Sequence, residues 1–501
     1  MRDFLLLYIN GVRHQIHAHQ ARMSLSDFLR RELGQIGTKI VCSEGDCGAC
    51  SVLVGRVHED GLRYEAIDSC IAFLFQLDST HIVTVEGLAK AGSMNDVQQA
   101  LVDCHGSQCG FCTPGFAMAM TAMQENDCSK DADSMRTGLT GNLCRCTGYV
   151  SILEAGLTAE LAEGDRMDVL YPSEPMLQDF YAHSAEDIAL IEDSTPPLLK
   201  KLSSPASIST NGQGKGFAAS RVLCPVTLAS ALEVLREWPQ SMIVAGATDI
   251  GVRVNKGQAL PETILDLNRV KELEQLGVVD GKLVMGARAS WTEVESLCRQ
   301  QLEEFYQIVK VFGAPQIRNM GTVGGNVINA SPIADSLPFY FVMDAELELR
   351  SAEGSRTVNI NDFYQGYKKF DLQPGELLTR VTVPLPDEGE LLRLFKVSRR
   401  LDLDISSFTA AIRIRLDGSR IAEAALAFGA VGPTVLRARN TEDFLVGREF
   451  SEATMREAGE LAVAEVTPIS DVRGSEDYRL QLTRNVFVKF YLEHQPDAVL
   501  L

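Results

Sequence analysis

The sequence predicts an α+β chain of several domains, and three observations carry this. At 501 residues it is long enough for about three to four domains of ordinary size. Ten of its 12 cysteines precede residue 147, leaving Cys224 and Cys298 behind, so a cysteine-rich front is joined to a cysteine-poor back. Between them runs "EDSTPPLLKKLSSPASISTNGQGKG", residues 192–216, rich in Ser, Thr, Pro and Gly and poor in apolar periodicity, which reads as an exposed linker.

The formal charge of −20, from 47 Lys and Arg against 67 Asp and Glu, argues against nucleic-acid binding and reads as solubility. The apolar run Phe4 to Ile9 is too short for an export signal, and no small-residue cleavage site follows it. No stretch approaches the length of a membrane-spanning helix. A cytoplasmic protein without membrane contact is therefore expected. Disulfides are then disfavoured, and clustered cysteines read as metal ligands or redox centres.

Along the chain, residues 1–85 read as strand-rich. Asn10-Gly11 between two strand-like runs marks a hairpin over 4–18. "SLSDFLRRELG" is a short helix with Ser24 or Ser26 as cap and Gly34 as stop, and strands follow at 51–57 and 82–85. Residues 86–165 read as helical: Asn95 caps "DVQQALVDC", Pro114 suits the first turn before "GFAMAMTAM", and "SILEAGLTAELAE" forms another helix. Met118, Met120 and Met123 read as packing residues. The stretch 166–216 is expected to be linker. The back divides into 217–388 and 389–501. It opens with the helix "TLASALEVLRE" and the buried strand and turn of "SMIVAGATDIGV". Alternating strands follow over 345–430, then helices from about 451 to 493.

Cys42, Cys47 and Cys50 have the spacing C-x4-C-x2-C, with Cys70 twenty residues on. This is the plant-type [2Fe–2S] ferredoxin spacing. Gly45 and Gly48 let a loop wrap tightly around a cluster. A β-grasp ferredoxin module is expected; zinc is the alternative, although only one short C-x2-C unit is present. Cys109, Cys112, Cys144 and Cys146 form a second set, C-x2-C and C-x-C, which points to a second [2Fe–2S] centre in a four-helix-type module. Cys104 and Cys128 read as buried or half-buried small hydrophobes. His14, His17 and His19 read as solvated surface, with His17 and His19 on one strand face.

In the back half, "GQGKG" at 212–216 follows no strand and carries no nucleotide-binding reading. "IVAGATDI", 243–250, and "GTVGGNVINASPIAD", 321–335, are each either an anion cradle of glycine amides and hydroxyls or an ordinary tight turn.

"CSEGDCGACSV", "CGFCTPG" and "GNLCRCTGY", in this order, resemble the iron–sulfur part of the molybdenum hydroxylases, the xanthine dehydrogenase family. The resemblance covers nearly the whole chain and implies the small iron–sulfur/FAD subunit of a bacterial-type two-chain enzyme. It implies an FAD domain of the vanillyl-alcohol-oxidase type and a small α+β C-terminal domain. It places Ile243, Val244, Ala245, Gly246, Ala247, Thr248, Asp249 and Ile250, with Thr322, Val323, Gly324, Gly325 and Asn326, on the FAD pyrophosphate. Phe312 would pack near the flavin ring, and Asp335, Leu378 and Lys396 would complete the pocket. The resemblance also matches Gln108 to a residue that contacts molybdopterin, and implies that the second cluster would lie nearer the molybdenum.

No catalytic residue is expected in this chain. The resemblance implies a partner large subunit holding molybdopterin, an α2β2 heterotetramer, and NAD as co-substrate. The partner would hydroxylate hypoxanthine and xanthine to urate, and electrons would pass through the second cluster, the first cluster and FAD to NAD. In "FKVSRRLDLDIS", 395–406, the residues Lys396, Arg399, Arg400, Asp402 and Asp404 would shape the NAD entrance. The rival readings are a sibling hydroxylase acting on nicotinate, an aldehyde or carbon monoxide, an independent electron-transfer flavoprotein, and a structural zinc protein.

Overall fold

Asn10 and Gly11 take φ of 47° and 79°, the left-handed pair that a two-residue hairpin turn requires. They join β1 (Leu5–Ile9) to β2 (Val12–Ile16). The computed structural model describes residues 1–89, 92–192 and 220–495. These fall into two compact units, Met1–Lys271 and Glu272–Leu501, and the expected segment 217–388 spans the division. The "GQGKG" stretch and residues 193–216 of the expected linker lie outside the described residues.

In the first unit, β3 (Ser51–His58), β4 (Gly61–Asp68) and β5 (Thr80–Val83) complete a five-stranded sheet of order β2-β1-β5-β3-β4. The pairing of β1 with β5 is parallel, and the other pairs are antiparallel. Strand β4 goes beyond the expected strands. It is an edge strand whose first three residues are half-buried or exposed, so its sequence lacks a long apolar run. The short helix begins at Ser24, whose side chain accepts from Asp27 N, and passes into a π-helical turn over Phe28–Glu32 before Gly34 stops it. His17 and His19 are exposed as expected, but they do not share a strand. The chain leaves β2 at Ile16, and His17 caps a four-residue helix, Ala18–Ala21.

Helices Asp96–Asp103, Thr113–Glu125, Ala132–Gly138 and Val150–Thr158 form the second module. Asn95 and Gln98 close a capping box on the first. Met118 and Met120 are buried in a shared core with Leu101, Phe116 and Ile152, against which Met123 packs. The last helix stops at Thr158, short of the expected run to residue 163, because Ala159 turns to extended backbone.

The stretch 167–192, expected as linker, is folded. Helix Glu174–Ala182 buries Met176 and Phe180 against Leu6. Strand β6 (Ile188–Glu192) opens a second sheet with β7 (Ser220–Cys224), β8 (Met242–Val244) and β9 (Thr263–Asp266), in the order β6-β7-β9-β8. Two anchors four residues apart and one short strand carry too little apolar signal to stand out in sequence. Arg2 bridges to Ile188 beside this sheet, so the N-terminus is tied to it.

A buried carboxylate gathers these parts. Asp78 pairs with Arg2 at 2.7 Å and with Arg269 at 3.2 Å, and accepts from Leu6 N at 2.8 Å. Arg269 also donates to the carbonyls of His183, Ser184 and Glu186. Nearby, His81 is fully buried; its Nε2 accepts from Gly11 N at 3.1 Å, which puts its proton on Nδ1, 2.7 Å from Tyr64 Oη.

In the second unit, β10 (Leu276–Val279), β11 (Lys282–Gly286), β12 (Glu346–Ser351) and β13 (Gly354–Asn359) flank β16 (Leu377–Pro384). The order is β10-β11-β16-β12-β13, antiparallel throughout, with a separate two-stranded pair β14 (Tyr364–Gly366) and β15 (Lys369–Phe370). A second sheet runs β17 (Leu391–Val397), β18 (Phe408–Asp417), β19 (Arg420–Gly429) and β20 (Leu436–Arg437). Helices Glu452–Val463 and Glu476–Glu493 pack on it through Met455, Ala458, Phe487 and Phe490. No helix among the described residues is long and apolar enough to cross a membrane.

Two measurements follow. Asp78→Ala leaves two buried guanidinium groups without their carboxylate and lowers stability by about 3–5 kcal/mol in chemical denaturation. Burial drives His81 down to about 4, below the ordinary histidine value of about 6.5. The unfolded chain therefore takes up the proton first as pH falls. The His81 contribution, full above pH ~6.5, is lost between there and pH ~4, roughly 3 kcal/mol in all. His81→Gln flattens that part of the stability profile.

Candidate cluster and flavin sites

The loop from Cys42 to Cys50 turns through Ser43, Gly45 and Gly48, all at positive φ. It brings Cys42, Cys47 and Cys50 together with Cys70, which follows β4. Cys47, Cys50 and Cys70 are buried and Cys42 is half-buried. Hydrogen bonds from Cys47 and then Cys70 hold the Cys42 thiol well below its ordinary value, and Glu44 N donates to its sulfur at 3.4 Å. This donor set of soft thiolates with a backbone N–H aimed at sulfur fits an iron–sulfur cluster.

The second set lies at the surface. Cys109 and Cys146 are exposed, Cys112 and Cys144 half-buried. Cys146 Sγ lies 3.5 Å from Cys109 Sγ. Burial, and then Cys144, pushes Cys112 up to about 12. Tyr149, in the left-handed region, turns its hydroxyl to accept from Cys144 N at 3.0 Å. Among the described residues, no three His, Cys, Asp or Glu side chains are gathered to hold a single metal ion. In this second set Cys146 meets Cys109 and Cys112 meets Cys144, and these four thiols would hold the second cluster. Of the remaining cysteines, Cys104 is half-buried as expected, but Cys128 is exposed, because it lies in the turn beyond the helix ending at Glu125.

The two cysteine loops touch. Leu143 N donates to Cys47 O at 3.0 Å and Asn142 Nδ2 to Gly48 O at 3.1 Å. A Cβ on Gly115 would overlap the Gly48 carbonyl, so only glycine permits the contact.

Ile243 and Val244 end β8, and the chain turns at Ala245 to Asp249 with Ala247 at φ 56°. Helix Ile250–Asn255 follows. Among the described residues, the backbone N–H groups of Gly246, Ala247, Thr248 and Asp249 meet no protein acceptor. The Ala245 carbonyl accepts from Gln76 Nε2 at 2.7 Å and from Asn268 Nδ2 at 2.9 Å, which fixes the turn. A row of unclaimed amides in a fixed turn fits a pyrophosphate.

In the second unit the glycine turn is built differently. Val323 N donates to Ala289 O, Gly324 N to Ala287 O, Gly325 N to Thr322 Oγ1 and Asn326 N to Thr322 O. The expected cradle of free glycine amides is therefore not formed there; Gly324 instead serves close packing against Ala287. Asn326 Oδ1 accepts from Ser336 Oγ at 2.6 Å. Beside Ser336, Asp335 is buried and pairs with Lys396 at 2.5 Å, while its other oxygen accepts from Ser406 Oγ at 2.5 Å. Phe312 lies edge-on to Trp291 at 4.8 Å. Leu378 is buried in β16 opposite Leu349. In 395–406, Arg400 pairs with Asp404 and Arg399 donates to Val472 O at 2.6 Å. The roles of Gln76 and Ser406 are not legible in sequence because their partners, Ala245 and Asp335, lie 169 and 71 positions away; Ser336 stands just past the segment 321–335, ten positions from its partner Asn326. Asn142 lay within the quoted "GNLCRC" and was open to discovery.

Family models give these sites their class. A 2Fe-2S iron-sulfur cluster binding domain matches residues 7–73 and a [2Fe-2S] binding domain residues 84–157. An FAD binding domain in molybdopterin dehydrogenase matches 217–386, and a CO dehydrogenase flavoprotein C-terminal domain 393–494. The chain is 32% identical, over 97% of its length, to xanthine dehydrogenase 1 of Arabidopsis thaliana, of which it spans 39%. Among solved structures, it resembles quinoline 2-oxidoreductase from Pseudomonas putida 86, at 28% identity and TM-score 0.50 over 54% of this chain and 94% of that one. It also resembles carbon monoxide dehydrogenase from Hydrogenophaga pseudoflava, at 25% identity and TM-score 0.51 over 53% and 93%. The fold and sites are those of an oxidoreductase with two [2Fe–2S] binding domains and an FAD-binding domain. The chain belongs to the molybdenum hydroxylase family, as its iron–sulfur and FAD part.

Iron and flavin analysis of the purified chain gives about four iron per FAD, at two irons per cluster. Cys42→Ser and Cys146→Ser each remove a different paramagnetic signal. Loss of one and the same signal in both variants contradicts the partition into two sites.

Proposed function

We propose that this chain is the electron-transfer part of a xanthine dehydrogenase. A partner carrying molybdopterin hydroxylates hypoxanthine and xanthine to urate. Electrons then pass through the Cys109, Cys112, Cys144 and Cys146 site, the Cys42, Cys47, Cys50 and Cys70 site, and FAD to NAD. Bound clusters carry electrons singly, and bound FAD collects two and exchanges them as hydride. The observation that carries the reading is an unbroken run of contacts within one unit: the exposed second cysteine loop rests on the first, Asn255 of the helix that leaves the turn over 243–250 holds Ser43 and Cys70, and Gln76, six residues past Cys70, holds Ala245 in that turn. The likeness to a xanthine dehydrogenase along 97% of the chain supports the purine substrate.

The partner's docking face is the surface around Gln108, Phe111, Leu143 and Val150, beside Cys109 and Cys146, all exposed. An apolar patch around an exposed redox site suits a protein partner. The chain by itself, free of molybdenum, does not turn over xanthine; turnover by such a preparation overturns this assignment.

For NAD, the reading relies on the segment 395–406 beside the proposed flavin pocket. One observation favours a sibling with another acceptor: Lys396 and Arg400 are already paired with carboxylates of this chain. Dye reduction decides between them. With NAD as acceptor, the FAD-loaded chain reduces a dye with NADH and needs no molybdenum to do so. Reaction with a quinone but not NADH assigns the NAD-independent sibling.

A further inference from the structure

Helix Ile250–Asn255 and the loops of the first cysteine set are joined by more than packing. Asn255 Nδ2 donates to Ser43 O and to Cys70 O, each at 2.9 Å. Its amide has two hydrogens, and both are used. One side chain thus spans the two segments that carry the thiols: Ser43 follows Cys42 directly, and Cys70 is itself one of the four. Four residues before Asn255, Gly251 faces Ile71, and a Cβ there would overlap the Ile71 carbonyl. Ahead of the helix, buried Gln76 holds the Ala245 carbonyl. The helix is therefore fixed to the cysteine module on both sides. Lys256 and Glu44 add an exposed ion pair at 2.7 Å, which contributes little in water.

We propose that Asn255 is a positioning residue. It holds the Cys42 and Cys70 segments against the helix that leaves the flavin turn, and so sets the distance over which an electron crosses from the first cluster to the flavin. This rests on the electron-transfer reading above. In each transfer the reduced cluster loses one electron and the flavin gains one. Two transfers, with two protons from solvent, complete reduction of the flavin. No bond forms or breaks between the two groups, so the chain controls the step through geometry.

The full chain, carrying iron and FAD, is reduced anaerobically with flash-generated methyl viologen radical. Reoxidation of the first cluster and bleaching of the flavin are followed together. Asn255→Ala removes both donors and slows cluster-to-flavin transfer several-fold. Gly251→Ala inserts a methyl against Ile71 and has the same effect without touching a hydrogen bond. Neither change adds charge or removes a hydrogen bond to a cysteine sulfur, since Asn255 donates only to carbonyls, and the expected reduction potential of the first cluster is that of the unsubstituted chain. Its paramagnetic signal broadens while that of the second cluster keeps its shape. An unchanged rate at full iron and FAD content overturns the proposal. So does a slowing that tracks a shift in cluster potential, or loss of the first cluster's iron in both variants, which assigns the contact to cluster retention. Failure of the unsubstituted chain, with full iron and FAD, to pass any electron to the flavin is a separate result: it removes the electron-transfer reading, and the role of Asn255 with it.

Discussion

The contact of Gly251 with the Ile71 carbonyl is where the unit Met1–Lys271 comes closest to having no choice. Ile71 sits next to Cys70, and Gly251 lies two residues past the turn of unclaimed amides. For these two features to lie side by side, backbone must meet backbone, which a side chain at position 251 forbids. The same requirement recurs where Gly115 meets Gly48. An electron step that makes no bond has distance as its main variable, and close approach of main chain is the direct way to hold distance short and constant.

Holding such contacts requires an electrostatic anchor as well. Asp78 supplies it, drawing Arg2 and Arg269 to one carboxylate from the two ends of the unit's sequence. A buried ion pair of this kind is weak evidence for net stability, because desolvation offsets much of the attraction. It is strong evidence for registry, since each guanidinium is costly to bury anywhere else. Arg269 extends the anchor to the carbonyls around residue 184, so the folded stretch after the helical module is held in the same place.

The segments that resisted sequence reading share a cause. Residues 167–192 pack through a few scattered side chains, among them Met167, Tyr171, Met176 and Phe180, and a five-residue strand whose partner, β7, is separated from it by 27 intervening positions. The glycines at 324 and 325 resemble the turn at 246 in composition, yet their amides are taken by Ala287 and Thr322. Which acceptors reach an amide depends on neighbours distant in the chain, and composition does not encode that. The exposed Cys128 follows from where one helix happens to end, a boundary that pattern alone places loosely.

What the amino-acid sequence determined by itself is local: the cysteine spacings, which oblige four thiols to meet within a loop and a nearby strand end, the Asn10-Gly11 turn, and the caps at Ser24 and Asn95. Each involves residues a few positions apart, so backbone geometry settles it before the rest of the chain is considered. Only the tertiary structure decided that Asn255 reaches Ser43 and Cys70, that Gln76 reaches Ala245, and that Asp335 is shared by Lys396 and Ser406. These pairs join residues 61 to 212 positions apart. Their partners are chosen by how sheets and helices pack, and a lone Asn, Gln or Ser carries no mark of that choice in sequence.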